Sequence, residues 1–268
     1  MTIRARVAEP GVTSGIRLRV GEDLADPKPS PLTQYGENLR LWFEGGTDIL
    51  KGIDPDDPAG DGDTVVRWKD QTTNAYHGNN SNTPIYDIDA LNDIGGVVFA
   101  DVENDALNIS NLAIDGADTE ITIFSVFKCS DATNNRQIYL YNRGGVACFT
   151  MQAMGANNQI RFWHELASGG DEFSVAVDPV DFHVATWWQK EGTGHKAYID
   201  GEQEGSGSNA NAFASTGWAQ EFTISQDAGG EGAGFTGTLM ELFMVVGEMT
   251  DVNRQWGDDY LLSRYSLS

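Results

Sequence analysis

Cysteine is nearly absent: Cys129 and Cys148 are the only 2 in 268 residues. A chain this long buries a substantial core without staples, so a disulfide framework is excluded as the organising device. The two cysteines sit in β-type runs about 20 residues apart, and both a cross-strand disulfide and a pair of reduced thiols fit that spacing. Basic residues are scarce as well, with Lys+Arg 17 against Asp+Glu 40 and a formal net charge of −23. So acidic a surface repels phosphate backbones, which excludes sequence-independent nucleic-acid binding by the body, and it repels anionic polysaccharides too. No stretch approaches the roughly 18 apolar residues of a membrane-spanning helix, so no membrane insertion is expected. The N-terminal region carries Arg4, Arg6, Arg17 and Arg19 but no apolar centre, and no secretory signal peptide is read there. The 4 histidines, His77, His164, His183 and His195, lie in different segments, and neither a zinc motif nor G-x-S-x-G occurs.

What the chain has is glycine, 31 residues of it, and short alternating runs of β-forming residues. The clearest lie in 181–207, DFHVATWWQKEGTGHKAYIDGEQEGSG. Phe182, Val184, Thr186 and Trp188 share one face of a period-2 strand, and His183, Ala185 and Trp187 share the other. The 191–194 turn and the Asp200-Gly201 corner supply residues that tolerate positive φ, so three antiparallel strands fit in fewer than 30 residues. Further strands are predicted around 121–128, 138–141, 146–151 and 159–164. Near the end Thr250 is placed to N-cap a helix with Asp251 in its first turn, and Val252, Trp256 and Tyr260 form its apolar stripe. The class is all-β.

The 181–207 hairpins resemble those of the laminin-G-like, concanavalin-A-like β-sandwich family. Six further segments resemble the family in order: Leu41-Trp42-Phe43, the 67–74 loop RWKDQTTN, Val98-Phe99 with 104–107 NDAL, strand 121–128, the 234–242 run GFTGTLMEL, and a closing helix through Tyr260 and Tyr265. The resemblance covers roughly residues 38–268. It implies an antiparallel β-sandwich of jelly-roll type with a short C-terminal helix. The fold alone does not decide between lectin, hydrolase and adhesion module.

Residues 1–37 lie outside that resemblance and read as an extended N-terminal arm. Arg4/Arg6 and Arg17/Arg19 fall at alternate positions beside Ile3, Val7, Ile16 and Leu18, so each arginine pair shares one side of an extended strand. The first 20 residues carry +3, and 26–31, DPKPSP, forms a stiff spacer. These residues fit a docking arm that adds strands to another protein. The arm resembles the leaders of virion structural proteins in tailed bacteriophages. That implies a virion surface location, docking to major capsid or tail/fibre proteins, and a homo-oligomer matching particle symmetry; capsid decoration is placed ahead of a tail or fibre role.

For sugar contact, Trp163, His164, Trp187 and Tyr198 are the candidates, because flat rings among polar neighbours stack on sugar faces. For catalysis, a glycosidase needs two carboxylates about 5 Å apart or wider. No E-x-D-x-x-E triplet occurs; Asp171-Glu172 lacks a spaced partner and Glu241 stands among apolar residues, so no catalytic residues are assigned and the protein is expected not to be an enzyme. No cofactor is assigned either. The 54–63 acidic loop breaks the EF-hand spacing with prolines, and Asp101, Asn104 and Asp105 form only a weak calcium candidate. Asp70 and Asn74 are expected to cap their own loop. The leading expectation is a non-enzymatic phage virion protein displaying a lectin-like sandwich to host glycans. A free bacterial carbohydrate-binding lectin and a divergent polysaccharide-degrading enzyme are the alternatives.

Overall fold

The computed structural model describes residues 28–267 except 53–56, 81–82, 101–104, 113, 115–119, 131–134, 144–145, 155–158, 165–170, 208–219 and 226–232. The proposed arm residues Ile3, Arg4, Arg6, Val7, Ile16, Arg17, Leu18 and Arg19, and the calcium candidates Asp101 and Asn104, lie outside the described residues. The described chain begins with a short helix α1 (Pro31–Tyr35), followed by β1 (Leu39–Phe43), β2 (Ile49–Leu50), β3 (Arg67–Trp68) and β4 (Gly78–Asn80). Next come β5 (Ile85–Leu91), β6 (Ile94–Phe99), β7 (Leu107–Ser110), β8 (Glu120–Cys129), β9 (Asn135–Arg143), β10 (Val146–Met154), β11 (Gln159–His164) and β12 (Asp171–Ala176). Then follow β13 (His183–Lys190), β14 (Gly194–Ile199), β15 (Glu202–Gly207), β16 (Gln220–Ile224), β17 (Ala233–Gly234), β18 (Gly237–Val246) and helix α2 (Asp251–Tyr265).

These strands form two sheets, almost wholly antiparallel. One runs β15-β14-β13-β8-β18-β6-β5, with β1 also on β18; the other runs β12-β11-β10-β9-β16-β7-β4-β3-β2, with β17 beside β9. The expected sandwich follows from their alternation. Ile121, Ile123 and Phe127 of β8 and Leu239, Leu242 and Met244 of β18 meet Met151, Ile160, Phe162, Phe222 and Ile224 of the second sheet in one apolar core. The intervening residues of the first sheet, Phe124, Val126, Val184, Phe243 and Val245, enter a second core closed by α1 and α2. The first sheet is therefore covered on both faces, so β8 and β18 are buried almost without interruption rather than at alternate positions.

Helix α2 starts as predicted, with the Thr250 hydroxyl accepting from Asn253 N at 3.2 Å. Its buried face differs from the predicted stripe. Val252 is 76 % exposed, and the buried positions are Arg254, Gly257, Asp258, Tyr260, Leu261 and Tyr265. Gly257 lets the helix approach closely: a Cβ there would lie 2.5 Å from Phe124 Cε1 and 2.7 Å from the Tyr35 hydroxyl. Tyr35, placed by sequence in the 1–37 segment outside the sandwich, is buried against Phe124, Phe243 and Trp256, so the packed body takes in α1.

Asp70 caps its loop, and β1 too. One carboxylate oxygen accepts from Trp42 N and Thr72 N, the other from Tyr76 N and the Thr72 hydroxyl, all within 2.7–2.9 Å. The Asn74 amide instead donates to the β1 carbonyls of Arg40 at 2.9 Å and Leu39 at 3.4 Å. Across the 181–207 meander, Asp200 adopts φ 51° at the predicted corner and binds back to Val184 N and His183 Nδ1.

Candidate functional site

Side-chain direction in the β10–β11–β12 meander follows from the core. Met151, Ala153, Ile160, Phe162 and Val175 point inward, so the residues between them point out from the sandwich. Register pairs Gln152 with Arg161, Thr150 with Trp163, Arg161 with Ser174 and Trp163 with Glu172. Thr150 and Glu172 therefore flank Trp163 on the outer face of the second sheet, and Gln152 and Ser174 flank Arg161 beside it. Trp163 is half-buried. The Arg161 guanidinium carbon lies 5.7 Å from the Trp163 ring centroid, and Arg161 Nη2 pairs with Glu172 Oε2. Burial draws the Arg161 pKa below its ordinary value. The face offers an aromatic platform, donors and acceptors, and Arg161 is already paired with Glu172.

The other sequence candidates separate from it. His164 ends β11 beside Trp163, and its side chain lies outside the described residues. Trp187 is 3 % exposed and packs edge-on against Phe162 in the main core, with centroids 5.9 Å apart. Tyr198 is 4 % exposed, with the Arg254 guanidinium 3.7 Å from its ring centroid. Neither ring is open to a sugar in this chain, because the second sheet covers Trp187 and α2 covers Tyr198. Of the calcium candidates, Asp105 is 3 % exposed and accepts from Thr83 N, the Thr83 hydroxyl and Ala100 N, which marks it as a loop cap. Lys51 Nζ lies 3.6 Å from Asp57 and 3.2 Å from Asp63, neutralising part of the 54–63 loop. Among the described residues no group of three His, Cys, Asp or Glu is placed to hold a metal ion.

Among the described residues two carboxylates, Glu241 and Asp258, have raised pKa values, and such shifts often mark active sites. Burial pushes Glu241 up to about 7 despite Arg264, Trp42 and Tyr265. It pushes Asp258 up to about 6 despite Thr186 and Arg254. Both serve helix docking. A β-bulge between Leu239 and Glu241 turns Glu241 toward α2, where it accepts from Trp42 Nε1 at 2.9 Å and the Tyr265 hydroxyl at 2.8 Å, with Arg264 Nε at 3.0 Å. Asp258 pairs with Arg254 and accepts from the Thr186 hydroxyl. Both residues have 0 % exposure, beyond the reach of a substrate. A cleft of about 280 Å³ lies beside Ile49, Pro58 and Tyr86, with Asp48 the one carboxylate among its lining residues.

The two packed sheets and the polar, aromatic-bearing outer face define a lectin-like β-sandwich. No described helix is long and apolar enough to cross a membrane. The chain belongs to the concanavalin A-like lectin/glucanases superfamily, whose family model matches residues 101–250, more than half of its length. No curated protein matches it. Among solved structures it is similar to domain 4 of a GH43 extracellular arabinanase from Geobacillus stearothermophilus, in complex with arabinotriose, at 14 % identity and a TM-score of 0.56 over 83 % of this chain and 97 % of that one. It is also similar to the receptor binding domain of botulinum neurotoxin mosaic serotype C/D, at 9 % identity and a TM-score of 0.57, covering 82 % of this chain. The binding domain of Paraclostridial Mosquitocidal Protein 1 gives 10 % identity and a TM-score of 0.55, covering 75 % of this chain. The chain spans about half the length of these last two, 50 % and 51 %. At such identities the likeness is one of fold.

Proposed function

We propose that the chain is a non-catalytic recognition module that contacts glycans through the outer face of β10, β11 and β12. The observation that carries this reading is Trp163, a half-exposed indole with Thr150 and Glu172 as its cross-strand partners and the Arg161 guanidinium beside its ring. Aromatic rings take the C–H face of a sugar while neighbouring polar groups bind its hydroxyls. One structural neighbour named as a receptor binding domain, and another, a domain of an arabinanase, solved in complex with arabinotriose, support the reading by analogy. The non-enzymatic part is supported by the sealed positions of Glu241 and Asp258 and by the lone carboxylate lining the Tyr86 cleft, since glycoside hydrolysis needs two facing carboxylates. The test is binding of the full chain to an oligosaccharide array together with a reducing-sugar assay. Saturable binding lost in Trp163→Ala without sugar release is expected. Binding untouched by that change, or sugar release abolished by Glu241→Gln, would overturn the reading.

We further propose that the module is displayed on the surface of a tailed-phage virion, docked to capsid or tail/fibre proteins by its N-terminal arm as a symmetric oligomer. The alternating Arg4/Arg6 and Arg17/Arg19 pairs beside apolar residues favour this reading. A chain lacking residues 1–27 should fold and yet fail to sediment with particles; retention of the truncated chain would sink the docking claim. A free bacterial lectin is the alternative, and arm-independent glycan binding with no particle partner would favour it.

A further inference from the structure

We propose that the cleft between β2 and β5 is a second binding site, which takes a protonated amine carried on a short apolar body. It is independent of the glycan reading above, since β2 and the β10–β12 meander lie at opposite ends of the second sheet. The cleft sits where the two sheets finish side by side: β2 ends one strand order and β5 ends the other. The chain between them crosses the gap, bridging Pro58 to Leu50 and Thr64 to Ile85, and Ala59 N donates to the Ile49 carbonyl at 2.8 Å. Small residues keep the gap from filling. Gly46 and Ala59 line it, and a Cβ on Gly95 would lie 2.2 Å from the Tyr86 hydroxyl, so the phenol can lie back against Gly95. About 280 Å³ stays open. That is just under the roughly 300 Å³ at which sites for drug-sized molecules begin, so the ligand is small.

The lining decides what fits. Ile49, Leu50 and Tyr86 are buried side chains that face the cleft, an apolar floor suited to hydrocarbon. Asp48 is exposed at the rim. One of its carboxylate oxygens accepts from Gln71 Nε2 at 3.3 Å, and the other has no hydrogen-bond partner among the described residues. No lysine, arginine or histidine is among the described lining residues, and Lys51 beside them is held by Asp57 and Asp63. An anion would therefore meet Asp48 uncompensated, on a chain of −23. A neutral sugar carries hydroxyls on every side, and the apolar floor would leave most of them unmatched. A protonated amine meets both halves of the lining. Its N–H groups donate to Asp48 in a charge-assisted bond while its hydrocarbon covers Ile49 and Leu50, and the Tyr86 ring attracts a cation as well.

The test titrates hexylammonium into full-length protein, with 1-hexanol and hexanoate as neutral and anionic probes of the same length, and follows backbone amide NMR shifts. Hexylammonium should saturate with a Kd of about 1 mM or below and bind at least about tenfold more tightly than either control. Its shifts should centre on residues 46–50 and Ala59. Asp48→Asn should weaken it by about fivefold or more and leave hexanol unchanged. Asparagine tolerates the φ of 50° found there and keeps an acceptor for Gln71, so the fold is retained. Ala59→Phe fills the cleft without removing its backbone bond and should abolish amine binding with the rest of the amide spectrum unchanged. Trp163→Ala should leave amine binding intact, whatever it does to glycans. Equal binding of hexanol and hexylammonium, indifferent to Asp48→Asn, would overturn the ligand class. No saturation, shifts spread over the acidic surface, or binding that survives Ala59→Phe would overturn the site.

Discussion

Trp163 and Trp187 sit in similar alternating strands, yet substitution should separate them. Trp187→Ala removes a core indole packed on Phe162 and should cost about 3–5 kcal/mol in urea unfolding. Trp163→Ala trims an outward ring and should cost less than about 1.5 kcal/mol. Comparable losses would mean that Trp163 is a packing residue. In sequence the two look alike, because alternation gives the two faces of a strand without saying which one meets solvent. The answer depends on what lies above each sheet, and for Trp187 and Tyr198 that is the second sheet and a helix brought from elsewhere in the chain. Gln152 and Glu172 were not legible as site residues at all, since their place beside Arg161 and Trp163 comes from cross-strand register. Asp70 was legible because its partners lie mostly within its own loop.

At the scale of the element, α2 is the unusual piece: besides apolar contacts it docks through the Arg264–Glu241 ion pair and through Asp258, which pairs with Arg254 of the same helix and accepts from the Thr186 hydroxyl of β13. Glu241 at about 7 and Asp258 at about 6 stand above the ordinary carboxylate values, so the folded chain holds protons that the unfolded chain releases. Stability attributable to them falls as pH rises from about 4 to about 7. His183 acts in the same direction. Burial opposes its charge, but the Asp200 carboxylate and the Asp178 carbonyl outweigh burial and raise its pKa, so its contribution is lost as pH rises through that raised value. Melting temperature should therefore be lower at pH 8 than at pH 5.5, and Glu241→Gln should flatten the difference. A wild-type profile that climbs over this interval would refute the assignment. The helix itself, its cap and its place in the chain were readable from Thr250 and Asp251. Its buried face was not, because charged Arg254 and Asp258 do not announce themselves as interior residues.

At the scale of the whole molecule, the net charge of −23 sets the response to salt. Like charges on a compact body repel, and the screening length shrinks from roughly 30 Å at 0.01 M to roughly 3 Å at 1 M salt. Raising NaCl across that range should lift the melting temperature by about 3 °C or more. A decrease would mean that the surface ion pairs outweigh the general repulsion. The order of the family-like segments was enough to read the sandwich, because each is a short local pattern. The strand order was not, and it carries a consequence for how the molecule is made. Strand β18 lies at the centre of its sheet, hydrogen-bonded to β8 on one side and to β6 and β1 on the other, although all three precede it in the chain. A nascent chain leaving the ribosome must hold those edges unpaired until residues 237–246 emerge. Such long-range pairing closes late and slowly, so the sandwich is completed in one cooperative step, with its sticky edges open to chaperones or neighbouring chains until then.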